Sequence, residues 1–394
     1  MSLKFLIGGD IVPTESNSRY FEEADADYLI GPELQNLFKE ADYLFLNLEA
    51  PLTDHASPIE KCGPNLIAPS SAINGLKAIN PHCYGLANNH IMDQGAQGLF
   101  DTISLLDTSG LSYVGAGNNI SEAHRPLFFE KDGLKLGLYT CAEHEFTIAR
   151  ETYPGANPYD PLESFDHVAA LSDQCDFTVV VYHGGKEYYR YPSPLLQKTC
   201  RKFVDKGANL VVCQHSHCVG CEEEYEDGRI IYGQGNFLFD LGDDEFWSSG
   251  IVTSVELGGA DGFCIKHYPI TKSDNAVRLA VGEAATEILN GFISRSEQIK
   301  EPGFVEQEYI NFSKRGLREY HMRVLGFTFF SRLMNKLSFA PYFRNRYSRL
   351  AELAIVNMLE CEAHRELAST GFLHSGKAKG NSRRKEHTDG IEKP

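Results

Sequence analysis

Phe177–Gly185 reads FTVVVYHGG and Leu210–Gly220 reads LVVCQHSHCVG. Each opens as a short apolar run rich in β-branched residues, the signature of a strand, and each strand stops at histidine. The pattern recurs along the chain. Lys4–Gly9 ends at Asp10, Tyr43–Leu48 ends at Glu49, and Cys83–Ala87 ends at Asn88, Asn89 and His90. Helical stretches such as Ala96–Asp107 and Pro194–Lys206 lie between them. Alternating strands and helices predict α/β units, and ligand sites in such sheets gather beyond the carboxyl ends of the strands.

Those ends supply an ordered set: Asp10, Glu49, Asn89, His183, His215 and His217. Carboxylates, an amide oxygen and neutral imidazoles form the donor mix that binds Zn, Mn or Fe at neutral pH. Two such cations a few ångströms apart activate water and hold a leaving oxygen in phosphoryl or acyl transfer. Every fragment also has an ordinary reading. Asp10 fits a turn aspartate, Glu49 a solvated carboxylate, Asn89-His90 a loop pair, and a lone His-x-His a structural accident. Their joint occurrence, each at a strand end, favours a metal centre of one or two divalent ions.

Downstream of Cys218 the texture changes to hairpins. Gly220–Glu226 and Arg229–Gly233 flank Asp227-Gly228, a strong two-residue turn signal, and Ile251–Leu257 with Phe263–Ile270 forms another. This region is expected to complete a second sheet, giving a sandwich of two sheets covered by helices. Cys218 and Cys221 form a Cys-x-x-Cys beside His-x-His, but no second pair offers the four ligands of a closed zinc site, so they read as core thiols.

Longer stretches carry a family resemblance. ANNHIMDQGAQGLFDT (87–102), GLSYVGAGNNISEAHRP (110–126), HGGKEYYRYPSPLLQ (183–197), VVCQHSHCVG (211–220) and YGQGNFLFD (232–240) resemble the CapA family of capsule and poly-gamma-glutamate synthesis proteins. The likeness runs in order from about Leu3 to Asp240 and extends to the calcineurin-like metallophosphoesterase superfamily. It implies a four-layered α/β/β/α sandwich with a C-terminal helical appendage. It implies that Asp10 binds one metal, that Glu49 bridges, that Asn89 and His183 with His215 serve the second, and that His217 returns to the first. His90 resembles the histidine that assists the leaving group, with a supporting role as the other reading; Asp93 would orient it or cap the helix that follows. The superfamily's usual Asp-x-His is here Asp10-Ile11-Val12, so the first metal position has fewer protein ligands. Asn236 and Asp240 match a Gly-Asn-Phe-x-x-Asp segment expected to brace the metal-bearing loops.

In the loop after His183, Lys186, Glu187 and Arg190 suit recognition of an anionic small molecule or polymer, or else form an exposed turn. The implied activity is metal-assisted hydrolysis of phosphate esters or diesters in capsule or exopolymer synthesis. A non-catalytic accessory role in a polymer-synthesis complex, or hydrolysis of gamma-glutamyl amides, are the competing readings.

With 42% hydrophobic and 23% charged residues, most of the chain should fold. A formal charge of −17 argues against nucleic acid as the partner. From Glu301 onward 16 basic and 11 acidic residues give +5, leaving −22 on the first 300. Residues 1–280 read as the main domain, 281–374 as a mainly helical extension and 375–394 as a disordered basic tail. Between 310 and 350, basic residues interleave with aromatics, which suits either an anionic membrane surface or a helix with a solvated basic face. No segment has signal-peptide or membrane-span character, so the chain reads as cytoplasmic or at most membrane-peripheral.

Overall fold

The computed structural model describes residues 2–240, 244–259, 262–324, 333 and 349–374. The strands are β1 (Leu3–Val12), β2 (Tyr43–Leu48), β3 (Cys83–Gly85), β4 (Ser112–Val114), β5 (Ala116–Gly117), β6 (Leu127–Lys131), β7 (Leu134–Ala142), β8 (Gly155–Ala156), β9 (Phe177–His183), β10 (Leu210–Gln214), β11 (Glu222–Tyr225), β12 (Gly228–Tyr232), β13 (Asn236–Phe239), β14 (Ser249–Gly259), β15 (Gly262–Ser273) and β16 (Ala276–Leu279). The helices that matter for packing are α1 (Ser18–Glu22), α2 (Ala26–Lys39), α3 (Ile73–Ile79), α4 (Gly95–Thr108), α5 (Ile120–Ala123), α6 (Ser164–Ser172), α7 (Pro194–Asp205), α8 (Gly282–Gln298) and α9 (Phe304–Val324).

Two sheets dominate. The first has the order β16-β15-β14-β1-β2-β3-β4, with β13 also paired to β1, and the second β11-β12-β10-β9-β7-β6. Along β1, Leu3, Phe5 and Ile7 face the second sheet, where they meet Leu138, Val179, Val181 and Val212. The alternate Leu6 joins Leu29, Leu34, Leu76 and Leu99 from α2, α3 and α4. On the far side, Val180, Val211 and Cys213 of the second sheet pack on Val168 of α6 and on Cys200 and Phe203 of α7. Helix, sheet, sheet, helix is therefore the layer order. The central strands are buried on both faces, which is why they appear as unbroken apolar runs.

The two hairpins behind Cys218 do not build one sheet. β11 and β12 extend the second sheet through β10, whereas β14, β15 and β16 extend the first through β1. The first turn is also shifted by one residue: Tyr225 pairs with Gly228, so Glu226-Asp227 makes the turn, with Glu226 at φ 47°. Gly228 is needed for another reason. A Cβ there would lie 2.7 Å from Val204 Cγ1 and 3.1 Å from the Ala208 carbonyl, so the glycine lets the strand lie against the end of α7.

The chain divides into two compact units, Met1–Tyr309 and Ile310–Pro394. Within the first, α8 contributes Phe292 to the core between the sheets. Within the second, the structure describes helices over Arg349–Glu360 and Glu362–His374. Of the basic aromatic segment 310–350, residues 325–332 and 334–348 lie outside the described residues, as does the whole 375–394 tail. Among the described residues no helix is long and apolar enough to cross a membrane.

Candidate metal centre

β1 changes partner where the site begins. Leu3–Ile7 pair with β14, while Asp10–Val12 pair with β13. Gly9 sits at this fork, and a Cβ there would come within 2.1 Å of the Gly235 carbonyl oxygen. The backbone irregularity between Ile7 and Asp10 delivers the Asp10 side chain to the strand end rather than into the core. β2 delivers Glu49 one residue past its end, β3 leads into Asn88–His90, β9 ends on His183, and β10 ends at Gln214 just before His215. Two linked buried amides lie here: Gln214 Nε2 donates across the sheets to the Gly8 carbonyl at 2.9 Å and to Gln234 Oε1 at 3.2 Å, and Gln234 Nε2 donates to the Ile7 carbonyl at 2.9 Å.

Glu49 is the buried anion at the middle. It is fully buried, and neither carboxylate oxygen has a hydrogen-bond partner, although His183 Nε2 lies 3.3 Å from Oε1. Burial works to raise its pKa, but His183, through its charge and the approach of its Nε2, and then the charge of His217 outweigh it and hold the carboxyl well below the usual range. Both carboxylate oxygens keep lone pairs that no hydrogen-bond donor fills, and a cation would take them up. Glu49, His215 and His217 each offer a ligand atom, and these atoms lie within 4.8 Å of one another. His215 and His217 both adopt left-handed backbone, at φ 79° and 55°, with one residue between them. Such backbone costs on the order of 1–3 kcal/mol per residue, and here it turns two imidazoles toward one carboxylate. Burial, followed by the charges of His183 and His217, pushes His215 well below its ordinary value and keeps it the neutral imidazole that a metal requires. Its Nδ1 has no partner either. The donor set and the orphaned atoms fit a divalent cation.

His183 stands between two groups of ligands. Its Nε2 is 3.0 Å from Asn89 Oδ1, and its Nδ1 is 3.3 Å from Asn47 Nδ2, which donates to Asp10 Oδ1 at 2.7 Å. Burial works against protonation of His183, but Glu49 and Asp10 raise its pKa on balance. Asp10 itself is pushed up to about 6 by burial and by Glu49. Its Oδ2 lies 3.6 Å from His217 Nδ1, which is 2.9 Å from Asn236 Oδ1. Val12, in the position where the superfamily resemblance places histidine, packs instead with Ala50, Phe239 and Trp247. Trp247 stacks on the His217 ring at 4.8 Å and 25°.

His90 adjoins this group through Asn88: its amide donates to Asn88 Oδ1 at 3.1 Å, and Asn88 Nδ2 donates to Asn47 Oδ1 at 3.2 Å. Its Nδ1 is 2.5 Å from Asp93 Oδ2. Asp93 does not cap α4, whose N-cap Gln94 makes no capping bond. The buried carboxylate instead accepts from the Leu66 amide at 2.6 Å and pairs with Lys61, whose side chain is equally buried. Lys61 Nζ also lies 3.2 Å from His90 Nδ1.

The loop after β9 is divided in its roles. Lys186 and Glu187 are partly exposed and 3.8 Å apart. Tyr188 stands at φ 59°, bonded through its amide to the Ser216 carbonyl, with its ring 6.2 Å from those of His217 and Trp247. Arg190 turns away to the Val219 carbonyl and the Phe246 ring. Asp240 pairs with Lys272 and accepts from Ser16, both at 2.5 Å, rather than touching a histidine. Cys218 and Cys221 are free buried thiols, and burial pushes Cys218 up to about 11.

Several participants carry little or no sequence signal of their own. Asn47 and Trp247 lie in ordinary apolar or mixed stretches, and Lys61 in a loop. Glu145 sits beside Asn89 Nδ2 at 3.4 Å and His215 Nε2 at 3.9 Å. Only Asn47 had a clue, lying two residues before Glu49 on an otherwise apolar strand.

Residues 4–241 match the family described as bacterial capsule synthesis protein PGA_cap. The chain belongs to that family. Two relatives of the PGA_cap chain are a capsule biosynthesis protein CapA of Bacillus anthracis, 30% identical over 59% of this chain and 59% of that protein, and a PGA biosynthesis protein CapA of Bacillus subtilis, 29% identical over 59% and 62%. A probable polyglutamine synthesis accessory protein of Mycobacterium tuberculosis is 28% identical over 50% of this chain and 56% of its own length. The chain thus spans about three fifths of the length of the curated relatives it matches. Among solved structures, a phosphatase from Mycoplasma pneumoniae aligns over 70% of this chain and 95% of that one at 14% identity and a TM-score of 0.43. The NAD nucleotidase of Haemophilus influenzae aligns over 74% and 55% at 12% identity and 0.42.

Proposed function

We propose that this PGA_cap protein is a metal-dependent hydrolase of phosphate esters or diesters that serves the making of a capsule-like polymer such as poly-gamma-glutamate. The observation that carries this reading is Glu49, buried without hydrogen-bond donors among His183, His215 and His217. Asp10, Glu49, Asn89, His183, His215 and His217 would hold one or two divalent ions, Mn, Zn or Fe. When bound, such ions supply Lewis acidity and a water acidic enough to act as nucleophile near neutral pH.

The remaining work falls to the chain. Asp93 Oδ2 accepts a hydrogen bond from His90 Nδ1–H, which orients the ring and leaves the proton on Nε2 to pass to a departing oxygen while Nδ1 keeps its own. Lys61 occupies the second oxygen of Asp93 and so fixes that carboxylate's orientation. Lys186 and Tyr188, exposed on the loop after β9, receive the anionic part of the substrate. The test is turnover of an aryl phosphate with added Mn, alongside metal content. His183→Ala should lose both, whereas His90→Ala should lose turnover and keep metal. Equal background rates in all three proteins would refute the hydrolase reading.

One observation favours a second reading. Val12 and Trp247 make the Asp10 side partly apolar, which suits a single metal retained for structure in an accessory component of a polymer-synthesis complex. Metal content unaffected by chelation, with no turnover of any ester or of poly-gamma-glutamate, would support it.

A further inference from the structure

Arg190, on the loop after β9, and Arg295, on α8, converge on one backbone oxygen. Arg190 Nη1 donates to the Val219 carbonyl at 3.1 Å and Arg295 Nη2 to the same carbonyl at 3.0 Å. Arg295 Nε also donates to the Gly220 carbonyl at 2.8 Å. Two guanidinium charges therefore share an uncharged acceptor, and like charges this close repel. Among the described residues, no carboxylate forms an ion pair with Arg295, and the acid nearest Arg190 is the exposed Glu245 at 3.9 Å. Burial, and then the charge of Arg190, depress the pKa of Arg295.

Both arginines line a cavity of about 520 Å³, together with Lys272 and the polar Ser248, Ser249 and Thr271. Its acids, Glu245 and Glu287, are exposed. The volume is that of a small-molecule site. We propose that this cavity binds an oxyanion, a carboxylate or phosphate group, at a place distinct from the histidine centre. The guanidinium nitrogens outside those carbonyl bonds, Arg190 Nε and Nη2 and Arg295 Nη1, suit planar or tetrahedral oxyanions, and a bound negative charge relieves the repulsion that the bare pair sustains. The segment 245–249 forms a common wall: Trp247 stacks on His217, while Glu245, Ser248 and Ser249 face the cavity. The site does not depend on the histidine centre holding metal.

The test is isothermal titration calorimetry of the full chain with inorganic phosphate and, separately, with glutarate. Saturable binding of either should persist in His215→Ala, which separates it from any phosphate held at the histidine centre. It should weaken about tenfold or more in Arg295→Gln and Arg190→Gln, the loss of one charge-assisted bond. It should tighten severalfold in Glu245→Gln, an exposed position whose variant should fold normally. Heat from one anion alone supports the site and names its preference. No heat from either anion overturns the proposal. So does binding that Glu245→Gln leaves unchanged, whatever the folding state of the arginine variants.

Discussion

The two sides of the histidine centre are unequally furnished. On one, Asn89, His183 and His215 surround Glu49, with Glu145 close by. On the other, Asp10 and His217 share their surroundings with Asn236, Val12 and the Trp247 ring. The first side holds both unpartnered oxygens of Glu49 and the unpartnered Nδ1 of His215. The second is partly apolar, and its aspartate is pushed up to about 6. Under the proposed reading with two cations, the contrast predicts positions of different affinity, the richer one filling first.

The largest test of that contrast is Glu49→Gln, which removes the charge between the two sides. Metal content measured by elemental analysis should fall to near zero, and aryl phosphate turnover by on the order of a thousandfold. His90→Ala should cost about a hundredfold or more in turnover while metal content holds, the effect of a lost proton donor. Lys61→Met should cost less, about tenfold to a hundredfold, with metal content again unchanged. Turnover equal to wild type in Lys61→Met would reduce Lys61 to a packing role.

Sharper still for the comparison is Val12→His, which adds an imidazole donor to the poorer side. Calorimetry with Mn should show the weaker binding event tighten about tenfold, and the stronger one stay as it is. The smallest effect expected is on pH dependence. Asp10 must release its proton before it ligates, and its raised pKa places that release near pH 6. Affinity of the poorer side should therefore fall as pH drops through about 6. The side built on Glu49 also draws on His183, whose pKa Glu49 and Asp10 raise above its ordinary value, so a proton competes for that ligand already at higher pH and the loss there should begin above that of the poorer side. Parallel loss of both binding events would contradict unequal sides.

How much of this was legible follows from where each residue's partners lie in the chain. The strands feeding Asp10, Glu49, His183 and His215 were readable because burial on both faces makes the apolar run itself the signal. The division of the two hairpins between different sheets was not, because strand pairing is set by contacts distant in sequence. The turn at Glu226-Asp227 was misplaced by one residue because Gly228 reads as a turn glycine, while its need comes from Val204 on a remote helix. Likewise His90-Asp93 was readable from a three-residue spacing, but Lys61 reaches Asp93 from a loop 32 positions earlier with no periodicity to mark it. Trp247 and Glu145 were silent for the same reason.

The paired amides of Gln214 and Gln234 set a working tolerance for the centre. Asp10 and Glu49 come from strand ends of one sheet, His183 and His215 from those of the other, and Gln214 ties the two by its reach to the Gly8 carbonyl and to Gln234, which in turn holds the Ile7 carbonyl. Shortening either to asparagine would leave the fold's layers in place but detune the spacing across which a cation is shared, so precision here resides in two residues that never touch it.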